Sequence, residues 1–298
     1  MIKINPSFIV KWEKIKIKKE FNINDIEKKF DFIKKRYTSE IVAVNLIELY
    51  FIFLSFERKS YCRDVLNFFF LISNYIKLAF TNILKKKKYA TSNLIIFSKH
   101  KFVDQFNFSE TSNYLHKKNK KHLVVLNHKK NDFKKISKLY KNKNIINLID
   151  FLNFKNILKA VIKFALHLHA INKIISILNC KKIRFQVYNL FFDFFIKTEL
   201  WCNIFKKDKI EKLFFSYFSR DHALIYANKI KNKNIQFVGY AFTGLDGNSP
   251  RYLFHDLDKL LVLGKADTKI IKKINKFKLK FMSLPKKTIV VGSTRHDY

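Results

Sequence analysis

Glycine and proline are scarce in this chain, with five and three residues in 298. That excludes collagen-like repeats and flexible Gly/Ser or Pro-rich linkers. Cysteine is scarcer than a disulfide scaffold requires. Cys62, Cys180 and Cys202 are odd in number, lack paired spacing and form neither a C-x-x-C nor a Cys/His zinc pattern. No Walker loop, G-x-G-x-x-G, G-x-S-x-G or H-E-x-x-H occurs, which removes the enzyme classes built on those motifs. Acidic residues are few, 23 against 60 Lys and Arg. Two apolar segments approach, but fall short of, the ~20 residues a membrane span needs. Asn45 and Glu48 interrupt Ile41–Phe56, and Asn67, Asn74 and Lys77 interrupt Val65–Phe80. Both read as buried helices, with interfacial membrane contact as the weaker option.

What is present is hydrophobic and basic. Hydrophobic residues make up 48% and aromatics 16%, enough for a sizeable core and too apolar for disorder. The formal net charge is +37. Such a charge commonly marks nucleic-acid or anionic-membrane partners. Here only seven of the 60 basic residues are Arg, and Lys, Ile, Asn and Phe, whose codons are AT-rich, dominate. Codon bias accounts for that pattern without a specific nucleic-acid role. A reader of bases would favour the planar fork of Arg. The Lys runs Lys85–Lys88 and Lys117–Lys121 read as a helix end and a solvated loop.

The chain changes character twice. Residues 1–90 contain no glycine and read as helical, with helices over Ile26–Tyr37, Glu40–Phe56 and Tyr61–Leu84. From residue 91, short apolar runs alternate with helical spacing, the mark of βαβ units and a mainly parallel sheet. The expected strands are Leu94–Phe97, His122–Leu126, Ile145–Ile149, Leu213–Phe218, Ile235–Tyr240, Lys259–Leu263 and Thr288–Val291. A long helical stretch, Phe151–Leu178, lies between the third and fourth. Further helices are expected from Arg220 to about Lys231 and from Asp267 to about Asn275. All five glycines fall after residue 238, four of them at or just beyond strand ends. Ligands of open α/β sheets bind at that edge.

Candidate chemistry concentrates there. In the loop after Tyr240, Gly244 and Gly247 allow close backbone approach, and Thr243, Asp246, Arg251 and Tyr252 can bind hydroxyls or phosphate. Arg220 and the helix start at Asp221-His222 can hold an anion, with His222 as a base; capping by Asp221 is the plainer reading. Ser98-Lys99-His100-Lys101 follows the first strand at the same edge and reads first as a basic surface loop. His167 and His169 are two apart in a helix, so they face different ways and are not a metal pair. Asp256-Leu257-Asp258 precedes a strand instead of following one, so it reads as capping. Phe68-Phe69-Phe70, Phe191-Phe192 and Phe194-Phe195 read as core.

Taken in order, Leu213–Asp297 resembles surface-polysaccharide glycosyltransferases of the two-Rossmann-domain (GT-B) type. The resemblance rests on a strand, then a helix with Ala223 and Ala227, then Ile235–Gly244 with its glycine turn and Tyr252 beyond. Asp258–Gly264 forms an Asp-x-x-x-Val-x-Gly-like strand, and Gly292-Ser293-Thr294-Arg295-His296-Asp297 closes a Gly-x-x-Arg-x-Asp motif. Many relatives carry Gln-His-Gly after the central strand, where this chain has Ala241-Phe242-Thr243-Gly244.

The resemblance implies a helical N-terminal region over 1–90, a Rossmann-like α/β domain over 91–287, and at 288–298 the start of a truncated second domain. It implies the acceptor-side part of an enzyme of cell-surface polysaccharide synthesis, inactive alone and without metal or cofactor. Asp246 and His222 are the base candidates. Thr243, Gly244, Arg251, Tyr252, Arg220, Arg295 and Asp297 are the substrate-binding candidates. The partners would be a nucleotide-sugar donor, held by the second domain, and a glycan or lipid-linked acceptor. The location would be cytoplasmic, with peripheral contact at the inner face of an anionic membrane as an option. The alternatives from the residues alone are a basic, ribosome-associated nucleic-acid-binding protein and a non-catalytic Rossmann-like domain.

Overall fold

The computed structural model describes residues 28–29, 32–33, 35–37, 61–83, 90–98, 103–127, 130–141, 143–177, 184–207, 209–216, 222–231, 234–240, 257–275 and 285–292. Two compact units emerge. One comprises 1–85, 152–200 and 222–227, and the other 86–151, 201–221 and 228–298.

The second unit is built on a seven-stranded sheet, every neighbouring pair of which is parallel. Its strands are β1 (Leu94–Ser98), β2 (Leu123–Leu126), β3 (Ile145–Asn147), β4 (Lys212–Ser216), β5 (Gln236–Tyr240), β6 (Lys259–Val262) and β7 (Lys287–Val290). Their spatial order is β3-β2-β1-β4-β5-β6-β7. This is the order of a doubly wound Rossmann-like sheet extended by one strand, with its switch point between β1 and β4. The expected strands lie within a residue or two of the observed ones, and β4 and β5 are parallel, as anticipated. The third strand is shorter than expected because Leu148–Phe151 turns into a 3-10 helix. The strand expected to open a second domain is β7, which pairs with β6 in this same sheet.

The central strands are continuous apolar runs because both faces are covered. From Ile95 to Ser98 and from Leu123 to Leu126 every residue is buried. Among the helices that join the strands are α2 (Val103–Lys117), α3 (Lys130–Ser137) and, later, α7 (Lys265–Asn275). On one face Leu115 of α2 packs with Ile96, Tyr240 and Leu261. Beside it, Phe133 and Ile136 of α3 pack with Val124, Leu126 and Tyr140. On the other face, the ring of Phe97 meets Trp201 edge-on at 5.1 Å, and Phe215 meets Phe237 at 6.3 Å. An edge-to-face pair adds roughly 0.5–1.5 kcal/mol beyond burial itself.

Among its described residues, the first unit is helical. It holds α1 (Tyr61–Ile83), α4 (Phe154–Ile177), most of α5 (Arg184–Lys207) and the first turns of α6 (His222–Ile230). The described residues between Lys28 and Arg36 are also helical, with Ile33 fully buried. α4 is one unbroken helix. α5 holds the interior through Phe191, Phe192 and Phe195, while Phe68 of α1 lies within 6.2 Å of the rings of Phe164, Phe185, Tyr188 and Phe192. Asp193 is met by the Tyr75 hydroxyl and by Lys197. Two expectations need correction here. Phe69 and Phe70 are 61% and 62% exposed, so they are not core. The stretch Val65–Phe80 is likewise not a buried helix, because α1 presents Leu66, Ile76 and Phe80 outward as well. A composition apolar on every side of a helix does not say which side is covered.

Candidate functional site

In a doubly wound sheet, loops and helix starts converge at the carboxyl ends of the strands. At that edge β1 ends on buried Ser98, whose carbonyl accepts the Asn127 N–H at 2.9 Å just beyond β2. The β3 end is shaped by Asn147, whose N–H donates to Asp150 at 3.3 Å. β5 ends on Gly239 and Tyr240, and the Tyr240 hydroxyl reaches the Gly292 carbonyl at 3.4 Å, spanning the end of β6. Of Gly244, Gly264 and Gly292, expected on one edge, Gly264 follows β6 and Gly292 follows β7 at this edge, while Gly244 lies outside the described residues. The Gly292 backbone has φ of +76°, the left-handed region where a side chain is strained.

Asp267 supplies an N-terminal cap at this edge. It is buried, and its Oδ2 accepts the N–H groups of Leu263 and Gly264, both at 3.1 Å. This is the reach-back half of a capping box, with the acid at the third helical position. The β6–α7 turn is therefore held rigid by one side chain.

Of the residues anticipated for catalysis and substrate binding, His222 alone is among the described residues. It is the half-buried first residue of α6, after β4. Thr243, Gly244, Asp246, Arg251, Tyr252, Arg220, Arg295 and Asp297 lie outside the described residues, as do Lys99, His100 and Lys101. His167 and His169 sit in α4, His167 against the Phe195 ring at 5.8 Å. No group of three metal-ligating side chains occurs among the described residues. Asp258 bridges two strands instead of capping a helix or turn: its Oδ2 accepts the Phe237 N–H of β5 at 2.8 Å, and its Oδ1 pairs with Lys286 at 2.7 Å.

Three polar arrangements were not foreseen. The first lies at the amino edge of the sheet. His122 Nδ1 is 2.8 Å from the Lys120 carbonyl, which can only accept, so Nδ1 carries the proton. Nε2 then accepts from the Ser112 hydroxyl at 2.7 Å. Burial is the main reason that His122 is held below the ordinary imidazole value; the Lys120 carbonyl opposes this and nearby His116 adds to it. The second arrangement is Asn144, which donates to the Ala90 and His122 carbonyls at 2.9 and 3.2 Å and accepts the Ala90 N–H at 3.0 Å. Ala90, His122 and Asn144 line a cavity of about 370 Å³ together with His116, Lys120 and Lys121. The Asn144 amide holds the segments that lead into β1, β2 and β3 together. The signal in the sequence was a histidine at the start of a strand otherwise wholly apolar, since a buried imidazole needs partners.

The third arrangement, in the helical unit, is Glu199 of α5 between Lys159 and Lys163 of α4, at 3.2 Å from each. Burial pushes its carboxyl up, but the two ammonium groups outweigh burial and hold it below the usual carboxylate value. No family model, curated protein or solved structure matches this chain.

Proposed function

We propose that this chain is the acceptor-side Rossmann-like domain of a two-domain glycosyltransferase of cell-surface polysaccharide synthesis. The observation that carries the reading is the place of three glycines. Gly239, Gly264 and Gly292 fall at the carboxyl ends of β5, β6 and β7, neighbours in one parallel sheet. These glycines also punctuate the sequence pattern that resembles those transferases.

In this reading an acceptor hydroxyl attacks the anomeric carbon of the donor. Its proton passes to a base, His222 or Asp246. The bond from that carbon to the phosphate oxygen breaks, and the nucleotide leaves with the electron pair. Arg220, Arg251 and Arg295 are the cations available to the leaving phosphate or to an acidic acceptor.

The described residues build a single sheet, whereas the resembled architecture places the donor between two and holds it mainly by the second. The chain by itself should therefore bind nucleotide-sugars weakly or not at all, and should bind a saccharide or lipid-linked acceptor. Calorimetric titration with panels of both tests this. Acceptor binding that Arg251→Ala and Asp246→Ala abolish is the expected result. Micromolar donor binding, or turnover by residues 1–298 alone, would place a whole active centre in this chain and overturn the reading.

A further inference from the structure

The helical unit presents an apolar face that its own described residues do not cover. α1 and α4 lie side by side and antiparallel: Phe80 meets Phe154 at 4.5 Å between ring centroids, and Phe68 meets Phe164 at 5.7 Å. Outward from this pair, α1 exposes Phe69, Phe70 and Phe80. Along α4 one exposed stripe runs Lys155-Leu158-Ile162-Leu166-His169-Lys173 at successive spacings of three and four. These six side chains share one side of the helix. Leu166, in the middle, is 75% exposed.

The stripe has an apolar centre and a basic residue at each end, spread over about 27 Å of helix. α4 contains no Asp or Glu. It is also the one helix among the described residues long and apolar enough to cross a membrane, yet Lys159 and Lys163, along one flank of the stripe, tie it to Glu199. A contiguous exposed apolar patch of this kind marks a binding surface. Its occupant must accept hydrocarbon at the centre and anions at the ends. A second copy of this chain does not meet that requirement, because it would set Lys155, Lys173 and Lys77 against their like in a chain of formal charge +37.

We infer that the α1–α4 face is a lipid-docking surface. It lies flat on an anionic bilayer, with Leu158, Ile162, Leu166 and the α1 phenylalanines entering the headgroup–acyl boundary. Lys155, Lys173 and Lys77 reach the lipid phosphates, as amphipathic interfacial helices do. The inference stands apart from glycosyl transfer, so either can fail without the other.

The test uses the full chain and sedimentation with vesicles of phosphatidylcholine alone or with phosphatidylglycerol. Salt is set at about 0.1 M and about 1 M, where charges are screened beyond about 10 Å and 3 Å. Binding should need the anionic lipid and should persist in part at high salt. Leu166→Asp should weaken it at least about tenfold, the share of one buried leucine. Leu139→Asp, which makes the same charge change at an exposed site of the other unit, should leave it within about twofold. Independently of affinity, the fluorescence of a Leu166→Trp variant should be quenched by lipids brominated on the acyl chain, and that of Leu139→Trp should not. Full release at high salt with equal effects of the two Asp variants would show charge-only adhesion and overturn the inference. So would absence of binding, an unquenched Leu166→Trp, or a dimer that Leu166→Asp breaks while vesicle binding is unchanged.

Discussion

The Ser112 hydroxyl and His122 Nε2 lie 2.7 Å apart, both residues buried, one on α2 and the other at the entry to β2. With the Nδ1 proton directed to the Lys120 carbonyl, the neutral imidazole accepts at Nε2. In the folded chain protonation is disfavoured, so below the ordinary value of 6.5 the unfolded chain binds more protons. The stabilisation is fully present above pH 6.5 and declines as the pH falls below it. Denaturant unfolding across pH 7.5 to 5 should show this loss, and Ser112→Ala should cost about 1–2 kcal/mol at neutral pH by leaving Nε2 unsatisfied. An His122→Phe variant that keeps the full acid decline would assign the decline elsewhere.

Glu199 should govern a lower window. Its folded value is depressed, so its contribution is present above the ordinary 4.5 and is lost as the pH falls through the folded value. Glu199→Gln should cost about 1 kcal/mol near neutral pH, a figure discounted because Lys159 is substantially solvated. The acid limb of helical circular dichroism below pH 4.5 should flatten in that variant, and an unchanged limb would exclude the two-lysine clamp as its source.

Three glycines should respond differently to alanine. Gly292→Ala forces a side chain into φ +76° with no atom in its way, so the cost is conformational, about 1–2 kcal/mol. At Gly239 the added methyl would sit 2.8 Å from Leu257 Cδ1, and Leu257 must shift, at a cost of about 1–3 kcal/mol. Gly264→Ala meets nothing within 4 Å and should change stability by under about 0.5 kcal/mol. Thermal melts of the three variants check this ranking.

Asp258 and Lys286 form a pair of unequal weight. The carboxylate satisfies the Phe237 N–H at the start of β5, so Asp258→Ala should cost about 1–3 kcal/mol. Lys286 is an exposed partner, and its replacement by Ala should move the denaturation midpoint little. Equal effects would mean that the ion pair, not the backbone bond, matters.

The strands could be read because a parallel sheet covered on both faces turns each into an unbroken apolar run, as Leu123-Val124-Val125-Leu126 illustrates. The Tyr61–Ile83 helix could be read because nothing in it breaks a helix. α5 was not drawn out, since its interleaved Phe, Asn and Lys blur the helical period. Nor could the sequence show that Phe68 is buried while Phe69 and Phe70 face outward, since only the position of α4 beside α1 decides that. Of the candidate site, the glycine edge was legible from strand ends. The Ser112–His122 and Glu199–Lys159 pairs join residues ten and forty apart with no motif between them.

The strand order sets a timetable for synthesis. Ile95 pairs on one side with Leu123 and on the other with Leu213, far later in the chain. At about 5–20 residues per second, the second edge of β1 stays open for roughly 5–20 s after the first can close. Pairing over such a separation is slow because loop closure precedes any gain from contacts. Trp201 lies on Phe97 of β1 and so reports on the core beside that strand. In refolding, its fluorescence should recover in the slow phase, together with the closure of β1 on β4. Recovery of Trp201 well ahead of global protection would show that α5 docks on a sheet still half assembled.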